Sequence, residues 1–174
     1  TDSMYNNFVN EFKWGGLPDS SLYLGYVTRR HCGMYRGHFS KLADALIANN
    51  QNEKAQKALN TCMNVFPNQQ VAFDARVTPL VTAYYDAGAP KQGRAHAGEL
   101  RQVLTDNLEY LTDLSRQHQR EARRKIRNGF YGLNRLRRSA SGAGQDTFAQ
   151  EIGQDIQRLQ NQSNLRRGPQ QRRR

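Results

Sequence analysis

Long hydrophobic runs are missing from this chain. Nowhere do about 18 apolar residues follow one another, so no segment is expected to cross a membrane as a helix. Cysteine is scarce: Cys32 and Cys62 are the only two, and their spacing matches neither a disulfide framework nor a zinc site. Hydrophobic residues make up 37% of the sequence and the mean hydropathy is −0.88, which leaves long polar stretches outside any core. The catalytic signatures are lacking too. There is no nucleophile elbow, phosphate-binding glycine loop, dinucleotide fingerprint or zinc-protease helix.

What is present is positive charge, and it is unevenly placed. The 174 residues carry a net charge of +11, yet residues 1–115 hold equal numbers of basic and acidic side chains. The excess lies after that point, where Arg116, Arg120, Arg123, Arg124, Lys125, Arg127, Arg135, Arg137 and Arg138 are opposed only by Glu121. That imbalance exceeds what a solvated helix face needs and points to an anionic partner.

The segment from Arg36 to Pro67 sets the fold expectation. Phe39, Leu42, Ala43 and Leu46 recur at helical spacing, Asn49, Asn50 and Asn52 supply a turn, and Ala55 and Leu59 follow before Pro67 ends the unit. This is the pattern of a tetratricopeptide-like helical hairpin of about 34 residues, in which small residues let two helices approach. A second, weaker unit places Val77, Leu80, Val81 and Tyr84 where the first has Phe39, Leu42, Ala43 and Leu46, with a turn over 86–90 and then Gly93, Ala97 and Leu100. The expected fold class is therefore all-α: tetratricopeptide-like hairpin repeats followed by a long basic C-terminal helix and a disordered tail.

In chain order, residues 1–17 read as a docking helix with the stripe Met4, Tyr5, Phe8, Val9 and Phe12, followed by Trp14-Gly15-Gly16. Residues 18–138 read as the repeat domain with its basic extension. Its first helix is expected from about Leu22 to Ala48, either unbroken or interrupted near Gly33. The apolar positions from Gln92 through Leu114 to Leu133 suggest one long helix, kinked or broken at Gly129 and Gly132. Residues 139–145 look like a flexible linker, 146–161 like a short amphipathic helix bearing Phe148, Ile152, Ile156 and Leu159, and 162–174 like a disordered basic tail. Because the first residue is Thr1 and not methionine, the chain reads as a processed product or, preferably, a piece of a longer polypeptide.

Taken together, MYNNFVNEFKWGGL, the LADALIANNQNEKAQKAL unit ending at Pro67 and the AYYDAG turn resemble the C-terminal soluble region of a bacterial family of multi-pass membrane proteins of unknown function. That family is similar to protein O-mannosyltransferases of the GT-C glycosyltransferase class. The resemblance covers about Met4 to Leu114 and rests on the combined order of Trp14-Gly15-Gly16, the repeat and Tyr84-Tyr85. It implies a location on the periplasmic face of the inner membrane, with the catalytic and lipid-linked sugar sites in a membrane portion that this sequence does not contain. No catalytic residue can be transferred, and the basic segment after Arg116 has no counterpart in the family pattern.

The function expected is binding, not catalysis: a non-enzymatic interaction domain of a glycosyltransferase-like membrane protein, with no cofactor and no metal. His31, His38, His96 and His118 fall at spacings that do not make a ligand set, and Asp44 and Asp86 read as isolated carboxylates. If the first helices of the two hairpins line a groove, Ser40, Asp44, Ile47, Thr78, Thr82 and Tyr85 face a protein or peptide partner. The membrane-embedded remainder of the same polypeptide is a second expected partner. An alternative is a free helical adaptor whose Arg-rich arm, with Phe130 and Tyr131 interleaved, binds a phospholipid surface, an acidic protein or nucleic acid. A periplasmic location would disfavour the last.

Overall fold

Three turns of identical geometry organise the chain, and each joins two helices that fold back on one another. In this computed structural model, which describes residues 1–19 and 21–165, α1 (Asp2–Tyr5) runs on as a π-helical stretch over Asn6–Glu11. The helices α2 (Tyr26–Ala48) and α3 (Asn52–Val65) form the first hairpin; a 3₁₀ turn (Ala75–Val77) leads into α4 (Thr78–Asp86) and α5 (Pro90–Asp113), the second. After α6 (Arg116–Glu121), α7 (Arg123–Gly142) and α8 (Asp146–Leu165) form a third.

Each hairpin turn places one residue in the left-handed region: Asn50 (φ 57°), Gly88 (φ 75°) and Gly144 (φ 71°). The next amide reaches back five residues, Gln51 to Leu46, Ala89 to Tyr84 and Gln145 to Ala140, each at 2.9 Å. The left-handed residue itself bonds three back, to Ile47, Tyr85 and Ser141, which makes all three Schellman turns and satisfies carbonyls that the helix end would leave bare. The core follows the same register. Phe39, Val77 and Leu133 are buried at one position, and Leu42, Leu80 and Leu136 one turn later. Across each turn stand the small residues Ala55, Gly93 and Ala149, which let the second helix approach the first.

The hairpins stack in order. The first helices touch in sequence, α2 on α4 and α4 on α7, while α5 packs against both members of the third hairpin. Arg101 on α5 pairs with Glu151 and Asp155 on α8, and Arg158 on α8 pairs with Glu109 on α5, adding ion pairs to the apolar contact. One apolar core runs from Phe8 to Leu159, so the amino-terminal segment and the last helix belong to the same core as the repeats. The docking expected of residues 1–17 takes the form of an aromatic cluster: Phe8 lies 5.0 Å from Phe39 between ring centroids, and Trp14 lies 5.3 Å from both Tyr35 and Phe66.

Several expectations are corrected. The helix expected from Leu22 begins at Tyr26 and runs unbroken past Gly33, whose bare Cα leaves room for the Arg76 guanidinium. The long helix from Gln92 to Leu133 does not form. It ends at Asp113, two extended residues, Leu114 and Ser115, turn the chain, and the Gln119 side-chain amide donates to the carbonyls of Thr112 and Leu114. Folding back lets Ile126, Phe130, Leu133, Leu136 and Ala140 join the core, burial that a continuous helix would forgo. Gly129 and Gly132 do not kink α7; they bring it close to Leu108, Leu104 and Ala75. The linker expected at 139–145 is helical through Gly142 and then becomes the third Schellman turn, with Ala140 fully buried. The amphipathic helix expected over 146–161 continues to Leu165, so residues 162–165 of the expected tail are helical; 166–174 lie outside the described residues.

Candidate binding surface

Along the stripe Thr78, Thr82 and Tyr85 on α4, Thr78 is buried and Thr82 and Tyr85 are half-buried, with α7 of the third hairpin packed on α4 and bonded to Thr82. The Thr82 hydroxyl donates to the Thr78 carbonyl at 3.1 Å and accepts from the Ser139 hydroxyl of α7 at 2.8 Å. Thr78 is fully buried. Tyr85 leans over the start of α5, where its ring fills the space that a side chain at Gly93 would need. Among the described residues the Thr78 and Tyr85 hydroxyls are buried without a hydrogen-bond partner, which costs stability.

On α2 the outcome differs along the helix. Ser40 is buried, while Ile47 is half-buried and Asp44 is exposed. Partial burial pushes the Asp44 carboxyl above its usual range and the Asp86 carboxylate adds to this, while Arg135 opposes it. Residues from α2, the end of α4 and α7 therefore share one electrostatic neighbourhood. Of the six expected groove residues Ser40 and Thr78 are buried, Ile47, Thr82 and Tyr85 are half-buried, and Asp44 is exposed.

The nine basic residues from Arg116 to Arg138 are all exposed. Among the described residues no carboxylate forms an ion pair with Arg120, Arg123, Arg124, Lys125, Arg127, Arg135, Arg137 or Arg138. At 100° per residue, the side of α7 opposite its buried stripe carries Arg124, Arg127, Tyr131, Arg135 and Arg138, within about 80° of arc. Tyr131 is 57% exposed at the centre of that row. Phe130, expected beside it, is half-buried and packs on the core instead.

A cleft of about 490 Å³ between α7 and α8 is lined by Arg137, Arg138 and Asp146 among others. Another of about 420 Å³ lies beside the amino-terminal aromatics, with Phe12, Trp14 and Tyr35 in its wall. The histidines stay apart: His31 borders the second cleft, His38 meets the edge of Tyr35, His96 lies on the ring of Tyr84, and His118 bonds Ser115. Among the described residues no group of metal-ligating side chains gathers. Cys32 and Cys62 are free thiols buried in the first hairpin, where each packs as a small hydrophobe.

Sequence reasoning missed Arg36. Only 3% exposed, its guanidinium donates to the carbonyls of Phe66 (2.6 Å), Val71 (2.5 Å) and Ala72 (3.3 Å) and lies 4.8 Å from the Phe73 ring centroid. It anchors the segment that joins the first two hairpins. An arginine falling in the buried stripe between Cys32 and Phe39 was the one available signal.

No protein-family model matches the chain, and no curated protein and no solved structure matches it.

Proposed function

We propose that this chain is a non-catalytic interaction domain built of tetratricopeptide-like hairpins, and that it serves as the periplasmic part of a membrane-bound glycosyltransferase-like protein. The observation that carries the binding reading is the repetition itself: three hairpins share one Schellman turn and one buried register, the construction of a stacked scaffold whose first helices present side chains to a partner. The resemblance carried by Trp14-Gly15-Gly16, the repeat and Tyr84-Tyr85 supplies the membrane-bound parent. On this reading the protein partner meets the open part of the first-helix face, at Asp44 and Ile47 next to Asp86 and Arg135.

Two experiments test it. The reading frame upstream of Thr1 should encode many apolar spans, and a reporter fused after the chain should be active only on the periplasmic side; an initiator methionine or a cleaved leader directly before Thr1 would overturn the membrane-bound parent. A photo-crosslinker placed at Asp44 or Ile47 in intact cells should trap one discrete protein, and the same group at Lys57, on the opposite helix of the hairpin, should not.

A specific observation favours a second use of the same scaffold. The exposed row on α7, which forms no ion pair among the described residues, supports contact with an anionic partner, as an Arg-rich adaptor would make. Such contact should weaken steeply with salt, whereas capture at Asp44 and Ile47 should not.

A further inference from the structure

We infer that the outward row of α7, Arg124, Arg127, Tyr131, Arg135 and Arg138, is a membrane-surface contact that holds the phosphate headgroups of an anionic bilayer. The inference rests on the membrane-associated reading above and gives the row its partner.

Shape decides between the anionic candidates. The five side chains stand at offsets of −7, −4, 0, +4 and +7 from Tyr131, so they form one straight row about 21 Å long on a convex helix. A single strand of nucleic acid is held in a groove with several stacking platforms, and an extended acidic peptide needs a cleft with backbone donors. The row offers neither; the cleft beside Arg137 and Arg138 is lined by residues of α7 and α8 that include neither Arg124 nor Arg127. A plane, by contrast, meets a convex row along its whole length at once.

The chemistry agrees. All four cations are arginines, whose planar fork binds phosphate oxygens in pairs, and an exposed tyrosine between them suits the headgroup level, where its ring is half wet. Insertion into the hydrocarbon is excluded by packing: Leu133, Leu136 and Ala140, the apolar face that an interfacial helix would bury in lipid, are already within the core. The contact is thus peripheral and electrostatic. The Asp44 carboxylate acts on Arg135 and tempers that one position. The other three have no acidic partner among the described residues.

The test is sedimentation of the whole chain with phosphatidylcholine vesicles with and without phosphatidylglycerol, at ionic strengths of about 0.1 M and about 1 M, where the Debye length falls from about 10 Å to about 3 Å. Binding is expected only with the anionic lipid and only at the lower salt. With each arginine contributing about fivefold near an anionic surface, R124Q/R127Q/R135Q/R138Q should bind at least about a hundredfold more weakly. The matching Arg→Lys variant should keep most of the attraction and its salt dependence, and Tyr131→Ala should weaken binding with the salt dependence unchanged. The exposed lysines on other helices serve as control: K41Q/K57Q/K91Q removes three charges from α2, α3 and α5 and should stay within about twofold.

An equal loss in the lysine variant would overturn the inference, since net charge alone would then explain binding. So would failure to bind anionic vesicles at low salt, competition by millimolar inorganic phosphate, or tighter binding to a single-stranded oligonucleotide that displaces the vesicles. Vesicle binding is read on the isolated chain, so a negative result removes this contact and leaves the hairpin scaffold and its parentage to the reporter and crosslinking experiments.

Discussion

Gly132 tests whether α7 is seated on the second hairpin, because two effects of opposite sign meet there. In a helix interior alanine is favoured over glycine by about 1 kcal/mol, so in a detached or solvent-facing α7 Gly132→Ala would stabilise. In the folded chain a Cβ at 132 would stand 2.8 Å from the Ala75 Cβ, 3.1 Å from Leu104 Cδ1 and 3.4 Å from the Ala75 Cα. Leu104 can rotate, but Ala75 belongs to the 3₁₀ turn that Asp74 caps through the Arg76 amide, so the backbone has little room to yield. Overpacking of this kind costs roughly 1–3 kcal/mol, which leaves a net loss of about 1 kcal/mol after the gain in propensity. Gly37→Ala is the internal reference: Gly37 is exposed in the middle of α2 and an added Cβ meets nothing within 4 Å, so that variant should gain roughly 0.5–1 kcal/mol. Thermal unfolding followed by circular dichroism should separate the two by about 3–8 °C, at about 2–4 °C per kcal/mol for a chain of this size. If both substitutions raise the melting temperature alike, α7 does not pack where the structure places it.

Arg36→Met removes three hydrogen bonds from a cation to buried carbonyls and recovers part of the desolvation that burial imposes, so urea unfolding should show a net loss of roughly 2–4 kcal/mol; an unchanged midpoint would mean those bonds contribute nothing. Burial pushes the Cys62 thiol up to about 12 and also raises Cys32, so neither should react with a thiol reagent at neutral pH before the chain unfolds, and a fast native-state reaction would contradict their burial. Burial lowers the His96 pKa below its ordinary value, with Glu99 opposing; a depressed imidazole contributes stability that is full above its unfolded value near 6.5 and is lost as pH falls. His96→Gln should therefore flatten the decline of the urea midpoint between about pH 7.5 and about pH 5, and an identical slope in the variant would assign the decline to other groups.

The first two hairpins were legible because their burial signal is local. Phe39, Leu42 and Leu46, then Ala55 and Leu59, repeat 3.6-residue spacing within one unit, and a shift of 38 residues, from Asn50 to Gly88, carries the pattern to the second. The third turn, at Gly144, lies 56 residues after Gly88 because α5 is long and α6 intervenes, so a fixed-period reading passed over it. Charge hid it further: Arg137 stands where Ala43 and Val81 stand in the earlier units. Composition then misled where position mattered. Ser139-Ala-Ser-Gly reads as a linker, yet Ala140 is fully buried and Ser139 bonds Thr82. The groove assignment counted α4 as the last inner helix; with α7 packed on it, Thr78 is buried and Thr82 bonds Ser139. The exposed basic row was readable as an excess of arginine, but its straightness depends on which stripe of α7 is buried, and that follows from the third hairpin.

Burial of one face of α7 also sets what the other face costs. Arg124 and Arg127 stand three apart, as do Arg135 and Arg138, and Arg123 lies four before Arg127; like charges at these spacings each destabilise a helix by roughly 0.2–0.5 kcal/mol. The helix is held against that repulsion by Leu133, Leu136 and Ala140, so the row is a feature the fold tolerates and does not use for its own stability. R124Q/R127Q/R135Q/R138Q should then be as stable as the parent chain or more stable, by up to about 1 kcal/mol at low salt, while losing its anionic partner. Added salt should narrow that gap by screening the repulsion in the parent. Stability and binding moving in opposite directions is the signature of a surface kept for contact. A quadruple variant less stable than the parent by more than about 1 kcal/mol would show that the arginines hold the fold together, and would end the case for the row as a binding surface.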